Sequence, residues 1–152
     1  MHVLLATDGS DLAVAAARRA IEVLDRPDRV TALSVMTYVP GDDATGFAAS
    51  VDTPEEAERR MHEERVAADA AIAATVDGLG ELHTEERTEL GTPGPVVCAA
   101  AKEVGADVVV VGSHGRGGLA RAFLGSVSDY VIRHAPCAVL VVRQEPVDAA
   151  SS

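Results

Sequence analysis

The stretch from Gly112 to Ser126, GSHGRGGLARAFLGS, gathers five of the chain's 13 glycines with three cation-forming side chains, His114, Arg116 and Arg121. Small residues let a backbone approach a ligand closely. A helix opening at Ser126 points its first, unpaired amides at whatever lies in front of it, and the helix dipole favours negative charge there. Together these features describe an anion site, with phosphate the natural occupant. The same residues also admit a plain reading: a glycine-rich connection, with Ser126 as an ordinary helix N-cap. Taken alone, the residues leave the two readings level. They do exclude one nucleotide chemistry, because no Gly-x4-Gly-Lys-Ser/Thr pattern occurs, so a P-loop is absent. The first turn, Thr7-Asp8-Gly9-Ser10, likewise lacks the three-glycine dinucleotide fingerprint.

The glycine stretch must be held by ordered elements, and the apolar pattern supplies them. Met1–Thr7 reads as a strand stopped by Asp8-Gly9-Ser10. Ser10 or Asp11 can cap a helix whose stripe is Ala13, Ala16, Ala17, Ala20, Ile21 and Leu24, ended by Pro27. Val30–Met36 is apolar on both faces, as parallel strands covered by helices are. A loop over Val39–Asp52 leads to a capping box, Thr53-Pro54-Glu55-Glu56. The helix it opens carries Ala57, Met61, Ala68, Ile72, Val76 and Leu79 on one side, with Glu55/Arg59 and Glu56/Arg60 expected to pair on the solvated side. Leu82–Leu90 is polar enough for an edge strand. Gly91-Thr92-Pro93 turns into a helix through Val96, Val97, Ala100, Ala101 and Val104, closed by Gly105. Asp107–Gly112 is the most apolar strand and is expected at the centre. A helix from Ser126 to about His134 and a last strand, Ala138–Arg143, complete the pattern. Strands alternate with helices and no internal repeat occurs, so the chain reads as one α/β domain: an open, five-stranded parallel sheet with helices on both faces. Its bounds are 1–143, followed by a polar tail over 144–152.

Composition narrows the function classes. The net charge of −11 is uneven: residues 40–90 hold fourteen acids and four bases, whereas 91–152 hold five of each. An acidic surface repels nucleic-acid backbones, so no nucleic-acid partner is expected, yet the neutral C-terminal part leaves room for one small phosphate ligand. Lys102 is the only lysine beside twelve arginines, a balance that suggests a saline cytoplasm. No apolar run approaches membrane-spanning length and no export signal opens the chain, so the expected location is cytoplasmic. Cys98 and Cys137 read as isolated, packed thiols in a reducing compartment. His2, His62, His83 and His134 are scattered without metal-ligand spacing and read as structural or solvated.

The spacing Gly112-x2-Gly115-x9-Gly125-Ser126 resembles the nucleotide-binding signature of the universal stress protein family. Thr7-Asp8-Gly9-Ser10, Gly91-x-Pro93, Ala106-Asp107, Gly125-Ser126-Val127-Ser128 and Pro136 through Val142 follow as further landmarks in the family's order, over most of the chain. The resemblance implies strand order 3-2-1-4-5, with the ligand crevice between strands 1 and 4. It implies that Asp8, flanked by Ala6 and Thr7, meets the adenosine part of ATP, and that the Val35 backbone meets adenine. Gly112, Gly115, Gly125 and Ser126, with the Val127 amide, would hold ribose and phosphates, and His114 and Arg116 lie inside that segment. The implied cofactor is ATP or another adenine nucleotide, which Mg²⁺ can accompany through phosphate oxygens and water. The implied partner is a second copy paired through the last strand, Ala138–Val142, and the role is nucleotide-dependent stress signalling. Slow ATP hydrolysis and a nucleotide-free dimeric scaffold are the alternatives. No residue stands out as catalytic or as a metal ligand.

Overall fold

The computed structural model describes residues 1–25, 27–37, 52–113 and 124–143. Nine elements follow in chain order: β1 (His2–Ala6), α1 (Asp11–Val23), β2 (Arg29–Met36), α2 (Pro54–Leu79), β3 (Thr84–Leu90), α3 (Pro93–Val104), β4 (Val108–Gly112), α4 (Ser126–His134) and β5 (Ala138–Val142). The five strands form one sheet in the order β3-β2-β1-β4-β5, every pairing parallel. Successive residues of β1 explain why both faces are covered. Val3 and Leu5 point into one cluster with Ala17, Ala20, Val30 and Val110. Leu4 points into the other, with Leu33, Val97, Ala100, Ala101, Val109 and Val131. A strand apolar at every position needs a helix layer on each side. The helices meet the sheet through alanines (Ala13, Ala16, Ala17 and Ala20 on α1), small side chains that let helix and sheet come close.

Two expected positions shift. The sheet has the strand order that the resemblance implies, with β1 in the middle; it is the expectation from apolarity that shifts, since β4 lies between β1 and the edge strand β5. Unbroken apolarity reports coverage on both faces, a property β1, β2 and β4 share, and so does not rank them. Helix α1 also ends before Pro27: the Leu24 amide bonds to the Ala20 carbonyl, and Asp25 takes the left-handed turn at φ 51°. The expected loop over Val39–Asp52 falls, save Asp52, outside the described residues, as does all of 144–152.

The capping box of α2 is fully formed. Thr53 Oγ1 accepts the Glu56 amide at 3.3 Å while Glu56 Oε2 accepts the Thr53 amide at 2.9 Å. That duty removes Glu56 from the expected pair with Arg60, which instead meets Asp52 at 3.3 Å. Arg59 likewise lies 3.9 Å from Glu63 rather than pairing with Glu55. The polar edge strand β3 is laced with charge: Arg87 reaches Glu89 at 2.7 Å and Glu103 at 3.2 Å, and Arg29 reaches Glu85 at 3.3 Å. Such charges blunt an edge against further strand pairing.

At the amino ends of the strands, His2 is buried, with Nδ1 3.1 Å from the Val104 carbonyl and Nε2 2.8 Å from Thr31 Oγ1. A carbonyl only accepts, so Nδ1 donates to Val104, while Nε2 and the Thr31 hydroxyl share the second bond. This histidine is structural, as expected. The cysteines are not isolated: Cys98 and Cys137 pack on the same core cluster. Burial raises both thiol pKa values, and Cys98 is raised further by Cys137. Thiols held protonated in this way are poor nucleophiles.

Candidate site at the carboxyl ends of strands 1, 2 and 4

Strand order reverses between β1 and β4, and in open parallel sheets the crevice outside the carboxyl ends at such a point receives ligands. Ala6 is the last residue of β1, and the Thr7 amide still bonds to the Leu33 carbonyl at 2.9 Å. The chain then breaks from the sheet at Asp8. Val35, half-buried on β2, lies two residues past Leu33, the partner of Ala6. Gly112 ends β4 opposite Val142.

The opening turn is held by a dense hydrogen-bond set. Ser10, not Asp11, caps α1, accepting the Ala13 amide at 3.2 Å. Asp8 Oδ1 accepts both the Ser10 amide (3.0 Å) and the Ser10 hydroxyl (2.6 Å), which orients the capping oxygen. Gly9 adopts φ +73°, a left-handed conformation that favours glycine, and a β-carbon there would fall 2.6 Å from Ala71 Cα on α2.

Across the crevice, Gly125 and Ser113 close the base of the glycine stretch. The Gly125 amide donates to the Ser113 carbonyl at 2.8 Å, and the Ser113 amide donates to the Val142 carbonyl at 3.0 Å. The single Ser128 hydroxyl proton is shared between the Gly125 carbonyl (2.9 Å) and the more distant Ser113 carbonyl (3.3 Å). Helix α4 therefore starts beside the end of β4. Its N-cap is Gly125, with no side-chain cap, and exposed Ser126 is the first helical residue rather than the expected cap. By helix geometry, the amides of Ser126, Val127 and Ser128 lack an intrahelical acceptor. Asp129, in the same turn, is paired with Arg133 at 2.9 Å.

Ala6, Thr7, Asp8, Val35, Gly112, Gly125, Ser126 and Val127 thus share one edge of the sheet. His114, Gly115 and Arg116 lie outside the described residues. Gly112 and Gly125 are not among the glycines with positive φ, and Gly125 has φ −64°, so neither backbone position demands glycine. Sequence reasoning missed the supports of this edge, Thr75, Ser113 and Ser128. Thr75 had a signal: it is a hydroxyl on the face of α2 that otherwise buries Ala68, Ala71 and Ile72.

Fold and edge define the class: an open, doubly wound α/β domain with an uncapped helix N-terminus at its topological switch point. Residues 1–143 match the model of the universal stress protein family, and the chain belongs to that family. A relative from Staphylococcus aureus (strain USA300), named a universal stress protein, is 34% identical over 151 residues, covering 97% of this chain and 87% of its own. The universal stress protein UspA from Lactobacillus plantarum superposes with a TM-score of 0.73 at 25% identity, covering 94% of this chain and 97% of its own. A universal stress protein solved in complex with cAMP is 29% identical, with a TM-score of 0.55 and coverage of 94% and 96%.

Proposed function

We propose that this chain binds an adenine nucleotide, ATP foremost, in the crevice between β1 and β4, and acts as a nucleotide-dependent stress-response protein of the cytoplasm. The observation that carries the reading is a pair of glycines, Gly112 and Gly125, in backbone conformations open to other residues, beside an α4 N-terminus without a side-chain cap. Glycines beside free amide donors suit phosphate oxygens. Asp8 serves the adenosine part, the Val35 backbone the adenine, and Gly112, Gly115, Gly125 and Ser126, with the Val127 amide, the ribose and phosphates, His114 and Arg116 belonging to the same segment. The relative solved with cAMP supports an adenine ligand. The domain comprises 1–143, with 144–152 a polar appendage.

A second copy pairs through β5. Val139, Leu140, Val141 and Val142 are only half-buried on an edge strand, and β5 lacks the dense charge that guards β3. Pairing that edge in a partner removes an aggregation hazard.

Calorimetric titration with ATP, ADP, AMP and cAMP, beside a phosphate-release assay, tests the reading. Saturable binding of at least one of the four at micromolar concentration is expected, without steady phosphate release. Failure of all four to bind at high micromolar concentration would leave only the scaffold alternative. Steady release abolished in Arg116→Ala would make the chain a hydrolase.

A further inference from the structure

Thr75 is fully buried near the C-terminal end of α2, and its hydroxyl donates to the Ala71 carbonyl at 2.9 Å. A hydroxyl has one proton, so Thr75 has none left for Thr7, whose Oγ1 lies 2.7 Å away. Thr7 must therefore donate to Thr75, and its own oxygen accepts the Gly9 amide at 3.1 Å. Proton counting fixes the direction of the whole chain: Gly9 N–H to Thr7, Thr7 to Thr75, Thr75 to Ala71. Both ends meet at one place, because the Gly9 backbone also packs directly on Ala71, where an added β-carbon would lie 2.8 Å from the Ala71 Cβ.

We infer that Thr75 is a positioning residue for the nucleotide site: the 71–75 turn of α2 seats the Thr7-Asp8-Gly9 turn and so aims Asp8. The inference rests on the adenine-nucleotide reading above. Valine at positions 7 and 75 together would occupy the same volume, and apolar replacement of a buried hydroxyl pair can be nearly neutral for stability, whereas valine at 75 alone strands the Thr7 hydroxyl. Hydroxyl back-bonding to the preceding helical turn slightly disfavours the helix. The pair therefore contributes direction more than stability. Thr7 and Gly9 flank Asp8 on either side, and a chain of aligned bonds from α2 fixes both flanks.

The test uses the full chain with Thr75→Val, Thr75→Ser, Thr7→Val and the Thr7→Val/Thr75→Val double variant. Two quantities are read: ATP affinity by calorimetry, and exchange of the Gly9 amide in the unliganded protein. Thr75→Val should weaken ATP by about tenfold, roughly the share of one oriented contact, and should speed Gly9 exchange. Thr75→Ser should restore both, at thermal midpoints close to the parent's. The double variant should lose no more than the worse single. Parent-like affinity in Thr75→Val, additive losses in the double variant, or failure of serine to rescue would each overturn the inference. If the parent itself binds no nucleotide, the functional reading falls separately. Gly9 exchange then decides alone, and an unchanged rate in Thr75→Val refutes the seating of the turn by α2.

Discussion

Gly125 holds φ −64° and ψ 156°, a conformation that most residues adopt freely. A side chain there is therefore a test of space rather than of backbone strain. Gly125→Val should fold, losing only about 1 kcal/mol because valine is a poor N-cap. Its ATP affinity should fall by at least about tenfold, since a branched side chain would stand in front of the amides of Ser126 and Val127. Calorimetry with a parallel thermal melt separates the two effects, and parent-like affinity would remove Gly125 from the site. At the same scale Asp8 has a structural duty beside its proposed one. Its Oδ1 orients Ser10, the cap of α1, so an Asp8 substitution perturbs helix and ligand together, and Gly125 is the cleaner probe.

Among the elements, α2 is the longest helix and depends most visibly on its first turn. Thr53→Ala removes the acceptor of the Glu56 amide and should cost about 1 kcal/mol, read as a lower denaturant midpoint. The reciprocal half of the box titrates. The Thr53 amide, then its hydroxyl, hold the Glu56 carboxyl below the ordinary glutamate range. A carboxylate with a depressed folded pKa contributes stability above its unfolded pKa and loses it as pH falls through the lowered folded value. Stability measured from neutral pH down through the glutamate range should therefore decline less in Glu56→Gln than in the parent, and equal slopes would contradict the box. Elements were largely legible in the sequence for a local reason: apolar period, caps and breakers act within a few residues. Ser10, Thr53-Pro54 and Gly105 sit at helix ends where their types predict. The errors were also local. Ser126 looks like an N-cap, but Gly125 takes that place because the bonds joining Ser113, Gly125 and Ser128 set where α4 begins.

For the molecule as a whole, charge and topology are segregated. The acids of residues 40–90 lie largely on α2 and the edge strand β3, which β2 separates from β1. Mutual repulsion on that side should ease as salt screens it. The thermal midpoint is accordingly expected to rise between low and molar KCl, and a flat or falling midpoint would count against adaptation to saline conditions. By itself the sequence determined the alternation of strands and helices, the two-sided burial of β1, β2 and β4, the polar edge at β3 and the family to which the chain belongs. These follow from period and composition, or from motifs in a fixed order. The strand order, with β1 in the middle, came from the family resemblance and not from apolarity, which pointed to β4; only the tertiary structure decided that Cys98 and Cys137 pack on one core. It alone revealed that Thr75, 68 residues from Thr7, completes the hydrogen-bond chain behind Asp8. The physical reason is the same in each case: apolar pattern specifies which face a residue buries, whereas the partner it meets there depends on how distant elements pack.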